Sequence, residues 1–404
     1  MPSWPLLFPD ACWRSPTFRW PSPSRSACPR NGFSESTNSC RNTNQIAGSV
    51  TLIARKGKVV HFDAQGWRYK EENAPMQKDA IFSLMSMTKP IVSTALMMLW
   101  EDGKFMLDDP ISKWLPSYSK MNVTDVSGHV PAVRPVTVRN ILTHTSGLSL
   151  EPGPRPKTLL EEIEKSSGRP LAFQPGERWQ YGASTDFVAA LVEKISGMTV
   201  DEFLRQRIFE PLGIRDTYYN IPKEKVSRVT AVYLPDKDGK IVLARKPEYH
   251  EPTTYFPGVA GLNGTAADYF RFSQMILNGG EYEGHRLLGR MTVDMMITNQ
   301  IGGGPNKRVY IRGDGYGFGL GFAVLTDPSK APDALSMGTF TWGGADGTLF
   351  WINPVEQLIG IMMIQINPYS HFNIRPLFSV VVSQAITDSL AGQKPNVMGY
   401  DTPR

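Results

Sequence analysis

Cysteine is nearly missing from this chain. Only Cys12, Cys28 and Cys40 occur, and none follows residue 40 in a sequence of 404. Their odd count leaves one unpaired, and their spacing matches no zinc ribbon. A cysteine-free body fits any redox compartment. Long apolar runs are lacking too. The longest, Ile91–Trp100 and Ile359–Ile366, fall short of the ~18–20 residues that a membrane span needs, so no membrane partner is expected and the protein should be soluble. No block of like charge stands out, and a net charge of +5 is modest for this length, which argues against nucleic acid as a partner. The chain has no G-x-S-x-G elbow, which excludes an α/β-hydrolase. It has no H-E-x-x-H and no clustered Cys and His, so neither a metal nor another cofactor is expected.

What remains is ordinary globular material, 41% apolar and 20% charged. At ~150 residues per domain the length suits two sub-domains. Residues 1–45 are set apart by Pro, Ser and Arg between Pro2 and Pro29, with no 7–15-residue apolar core of a secretory signal. They are expected to form a poorly ordered extension, and a cytoplasmic location is favoured on the lack of that signal. Oligomeric state is not legible.

Globular patterning begins at residue 46. Gly48–Arg55, the Lys56-Gly57-Lys58 turn and Val59–Phe62 predict a β-hairpin. Over residues 86–299 the pattern is mainly helical, with helices expected at Ile91–Trp100, Val136–Thr143, from Thr185 to Gly197, and Val200–Phe209. His144, at the end of the second of these, is expected to bond last-turn carbonyls. Strands return over residues 300–404. Gly313, Gly315, Gly317, Gly319 and Gly321 alternate with aromatic or aliphatic residues, predicting a strand with one bare face that another element can approach closely. Thr339–Trp342, Thr348–Ile352 and Leu358–Ile366 follow as strands, and Arg375–Ser389 as a final amphipathic helix. Strands at both ends with helices between predict an α+β fold. One antiparallel sheet, built from residues 46–85 and 300–404, would be interrupted by the helical insertion 86–299, with the active site between the two.

The chemistry centres on Ser86-Met-Thr-Lys89. A serine hydroxyl needs a base within hydrogen-bond reach, and residues i and i+3 share a helix face. Pro90 falls in the first turn and Gly103 beyond the last, so Ser86 sits near a buried helix start, where the macrodipole favours a developing anion. A second S-x-x-K, Ser117 to Lys120, lies in a polar loop and reads as a solvated turn. Tyr181, on a loop before the Thr185 helix, is a candidate proton shuttle, because a nearby ammonium favours a phenolate. Trp342-Gly343-Gly344-Ala345 ends a strand, where bare glycines admit substrate and a backbone N–H can serve an oxyanion.

This order of S-x-x-K, Tyr before a helix and Gly-bearing strand resembles the serine β-lactamase and penicillin-binding-protein superfamily. Leu142–Leu148, Pro211–Thr217 and Gly317–Phe322 support the likeness, which covers residues 46–390. Tyr181–Asp186 and Trp342-Gly343-Gly344 are most similar to family VIII carboxylesterases, and a related group of fungal statin side-chain acyltransferases shares them. The resemblance implies Ser86 as nucleophile, with Lys89 and Tyr181 sharing the base role. It also implies an oxyanion hole from the backbone N–H groups of Ser86 and Ala345, and substrate contacts from Trp342, Gly343 and Gly344. β-Lactamases and peptidases of this fold carry Y-x-N and K-T-G. Here Ala183 occupies the Asn position and Trp342 the lysine, and Tyr218-Tyr219-Asn220 reads as a decoy. Losing that lysine removes a charge-assisted contact to a substrate carboxylate worth roughly 1.5–3 kcal/mol, and an indole gives an uncharged ester an apolar wall. The expected activity is hydrolysis of short- to medium-chain acyl esters, with weak β-lactamase side activity. A β-lactamase or D-alanyl peptidase, an acyltransferase to a small acceptor and a non-catalytic binding protein are the alternatives.

Overall fold

In the computed structural model, which describes residues 45–388 apart from Ser127 and Phe372, strands from the two ends of the chain meet in one sheet. The expected extension, with its three cysteines, lies outside the described residues except for residue 45. Gly48–Arg55 pairs antiparallel with Lys58–Tyr69 on one side and with Leu358–Met363 on the other. Eight strands follow one another across the sheet: Tyr316–Phe318, Ala323–Leu325, Phe340–Gly343, Leu349–Asn353, Leu358–Met363, Gly48–Arg55, Lys58–Tyr69 and Ala74–Pro75. Lys56 and Gly57, both with positive φ, make the tight turn of the first hairpin.

Helices cover both faces, which is why all eight residues of Gly48–Arg55 are buried and show no apolar–polar alternation. Successive side chains of Leu349–Asn353 point to opposite faces. Phe350 meets Tyr269 of the Ala266–Leu277 helix at 4.9 Å between ring centres, and Trp351 meets Phe378 of the Ile374–Gln384 helix at 6.1 Å. The insertion is built around the Thr88–Glu101 helix, whose residues from Thr88 to Leu99 are all buried. Its main neighbour is the Ser184–Ser196 helix, ended by Gly197 with φ 75. Thr137 caps the short Val138–Leu142 helix in a reciprocal capping box with Asn140.

Four expectations need correction. The glycine alternation is a three-residue strand, Tyr316–Phe318, followed by a turn into Ala323–Leu325. Its bare face does admit a close neighbour: a Cβ on Gly319 would lie 2.1 Å from the Met296 carbonyl oxygen. Residues 200–209 divide into an α-helical turn, Val200–Leu204, and a wider π turn, Arg205–Phe209. The insertion also carries two-stranded ribbons at Asn122–Pro131 and Val232–Arg245, the first bridged to Leu171 through Val123 and the second to Ile366 through Tyr233. The last helix stops at Gln384, before the expected Ser389.

Replacing Gly319 with Ala should lower stability by about 1–3 kcal/mol, because the new methyl must displace a backbone carbonyl. Thermal melting of Gly319→Ala beside the parent measures this.

Candidate active site

Ser86 lies in a single 3₁₀ turn, Met85–Met87, that runs directly into the Thr88–Glu101 helix. Its N–H is therefore among the orphan donors that a helix start leaves unpaired. Met85, immediately before it, holds φ at 48°, a left-handed conformation that costs a non-glycine residue ~1–3 kcal/mol. The surroundings enforce it. Leu84 donates its N–H to the Leu262 carbonyl (2.9 Å), and the Tyr269 hydroxyl donates to the Met87 carbonyl (3.0 Å). From the sheet, Thr348 Oγ1 donates to the Leu84 carbonyl at 3.3 Å.

Three side chains converge here. Lys89 Nζ donates to Ser86 Oγ at 3.1 Å, and Tyr181 Oη donates to the same oxygen at 2.6 Å. The Lys89 ammonium lies 4.6 Å from the centre of the Tyr181 ring. It also donates to the Val259 carbonyl at 2.7 Å, which fixes the end of a buried lysine stem. Tyr181 is placed from behind. Gln180 donates its N–H to the His144 carbonyl, and the Tyr181 ring packs on His144 and Trp342 at 5.1 and 5.2 Å.

His144 differs from its expected place. Its side chain turns inward among Trp179, Tyr181 and Phe318, and its Nδ1 has no hydrogen-bond partner among the described residues. Burial, with the nearby Lys89 charge, holds its pKa down to about 3, so the ring is neutral. Trp342 is also relocated. Its indole is buried behind Tyr181 and against Phe318 (5.4 Å), and is absent from the wall of the cavity beside Ser86. That cavity, about 370 Å³, takes its apolar wall from Leu150, Ala183, Tyr255, Pro257 and Ala260.

The strand end reaches the serine turn. A Cβ on Gly344 would fall 2.5 Å from the Leu84 carbonyl oxygen and 3.1 Å from Met85 Cβ. Gly344 N–H is used by the Thr348 carbonyl, whereas Ala345, exposed in the following turn, makes no backbone hydrogen bond among the described residues. The Arg375 guanidinium clasps this turn by donating to the carbonyls of Gly344 and Thr348. Ser117 of the second S-x-x-K instead donates to Glu164 on an exposed surface, and Tyr219 is a buried phenol bonded to the Pro257 carbonyl. Among the described residues no group of His, Cys, Asp and Glu is arranged to hold a metal ion, and no helix is long and apolar enough to cross a membrane.

Sequence reasoning missed the Val259 carbonyl, a backbone group with no residue-type signature. It also passed over Asp186, although a carboxylate at the head of the apolar stripe Phe187, Val188, Leu191 was a legible anomaly. Asp186 is only 2% exposed and lines the cavity, where burial pushes its pKa up to about 6.

A Beta-lactamase family model matches residues 35–378. The chain is 29% identical to Esterase EstB of Burkholderia gladioli over 85% of its own length and 91% of the esterase. It is 30% identical to the Lovastatin esterase of Penicillium rubens over 80% and 90% of the two chains. Among solved structures, EstCE1, described as a hydrolase with promiscuous acyltransferase activity, superposes with a TM-score of 0.72 at 25% identity, covering 88% of this chain and 97% of that one.

Gly344→Ala should leave the fold intact but push the strand end off the serine turn. A misplacement near 1 Å costs on the order of 10²-fold. Single-turnover acylation by an activated ester, with circular dichroism as the fold check, measures the loss.

Proposed function

Because this chain belongs to the beta-lactamase family, we propose that it is a serine hydrolase that cleaves short- to medium-chain carboxylic esters through an acyl-enzyme on Ser86. The observation that carries this reading is the pair of hydrogen bonds on Ser86 Oγ, 2.6 Å from Tyr181 and 3.1 Å from Lys89. Ser86 Oγ attacks the ester carbonyl as its proton passes to whichever partner is deprotonated when substrate binds, Lys89 as the neutral amine or Tyr181 as the phenolate. The tetrahedral oxyanion is met by the N–H groups of Ser86 and Ala345. Collapse expels the alcohol, which takes up the proton, and water repeats the sequence to release the acid.

Preference for an ester over a β-lactam or peptide terminus rests on two positions. Ala183, on the cavity wall, has no amide to hold an acylamino group, and Trp342, behind Tyr181, supplies no cation from the strand, so that Arg155 is the guanidinium on the cavity lining. The relatives named as esterases support the same direction. Acyl transfer to a small alcohol is the second reading. It is favoured by a further cavity of about 280 Å³ that shares Arg155, Tyr255 and Pro257 with the first and gives an acceptor room.

A panel of p-nitrophenyl esters of rising chain length, run beside nitrocefin, tests the proposal. Butyrate to octanoate esters should turn over fastest and nitrocefin far more slowly. Ser86→Ala should lower kcat/KM by ~10³-fold or more. Full activity in Ser86→Ala would sink the scheme, and nitrocefin turnover equal to ester turnover would move the chain to the β-lactamase reading.

A further inference from the structure

Lys89 owes its position to a group that is itself held in place. Val259 uses both its amide groups: its carbonyl accepts the Lys89 ammonium at 2.7 Å, and its N–H donates to Asp186 Oδ1 at 3.0 Å. The Gly258 N–H also helps to hold the Asp186 pKa down. Asp186 stands in the first turn of the Ser184–Ser196 helix, five residues beyond Tyr181 on the segment that delivers that phenol. We propose that Asp186 is a positioning residue for the reaction, its carboxylate fixing the Gly258–Val259 backbone so that the Val259 carbonyl holds Lys89 between Ser86 and Tyr181. The proposal rests on the reading of Ser86 as nucleophile.

The charges around Asp186 set its pH behaviour. Lys89 faces it from the nucleophile helix and lowers its pKa, and Glu162 faces it from the Leu159–Lys165 helix and raises it. The phenols of Tyr219 and Tyr255 complete the surround, the second of them bonded to Glu162. Burial outweighs the rest and puts the pKa at about 6. Below that pH the carboxyl takes a proton, loses strength as an acceptor and no longer offsets the Lys89 charge. Linkage has the opposite sign for stability. A carboxyl whose pKa is higher folded than unfolded makes the folded state less stable as pH rises through that range. At pH 8 the charge on Asp186 therefore costs stability that function retains.

Asp186→Asn keeps the shape and an acceptor for Val259 while removing the charge. It should lower kcat by 10- to 100-fold, leave KM within about threefold, and abolish the acid limb of the kcat/KM profile near pH 6. It should also melt higher than the parent at pH 8, by more than it does at pH 5, which a residue that only supports the fold would not do. Parental kcat, or a reduced kcat with the acid limb still in place, overturns the proposal. If Asp186→Asn gives no folded protein, Asp186→Glu keeps the carboxylate and should keep the acid limb; loss of the limb there overturns it equally. A fluorophosphonate probe separates this from the function itself. Labelling of Ser86 in the parent, found by mass spectrometry and slowed in Asp186→Asn, upholds both. An unlabelled Ser86 in the parent would remove the nucleophile reading, and this inference with it.

Discussion

The backbone of Leu84 is the constraint on which the site depends. Its N–H is taken by Leu262 and its carbonyl by Met87 within the turn and by Thr348 from the sheet. Both halves of the molecule thus grip the chain two residues before Ser86. That grip accounts for the left-handed Met85. A strained residue persists only when its neighbours over-determine it, and here they are a turn between two sheet strands, a loop from the insertion and the buried helix that follows. Ser86 emerges at the seam, with its N–H unpaired among the described residues and its hydroxyl facing two donors.

The same economy runs through the polar groups around the seam. Burying a lysine or an aspartate is costly unless each charge finds hydrogen bonds. Lys89 and Asp186 form no ion pair, and both are satisfied through the backbone of Val259. Arg375, buried and clasping two carbonyls of the Gly344–Thr348 turn, solves the same problem on the sheet side, with Tyr369 stacked beneath its guanidinium. Peptide carbonyls rather than opposite charges hold these cations.

Behind Ser86 and Lys89 stands a cluster of rings: His144, Trp179, Tyr181, Phe318 and Trp342. Each of its members comes from a different segment of chain except Trp179 and Tyr181, which stack at 6.2 Å with near-parallel planes. Trp342 matters to Tyr181 as a support at its back. The indole thus bears on the site from behind, through its ring contact with the phenol.

Local patterns in the sequence determined a good deal: the first hairpin from its Lys-Gly turn, the Thr88–Glu101 helix from residues apolar nearly all round, and the Ser86–Lys89 pairing from i,i+3 spacing. Order along the chain, strands then helices then strands, was enough for the antiparallel sheet joining both ends. Only the tertiary structure decided what fills the space around those residues. The Val259 carbonyl and the Leu84 clamp are backbone groups that carry no side-chain signature. The inward turn of His144 and the retreat of Trp342 depend on rings contributed by segments far apart in sequence. The glycine alternation ended as a short strand because the Met296 carbonyl and a turn at Gly321, with φ 96, compete for the same residues. Spacing specifies which residues of one helix or strand share a face, whereas packing between segments sets which groups meet across the seam, and the position of Lys89 belongs to the second kind.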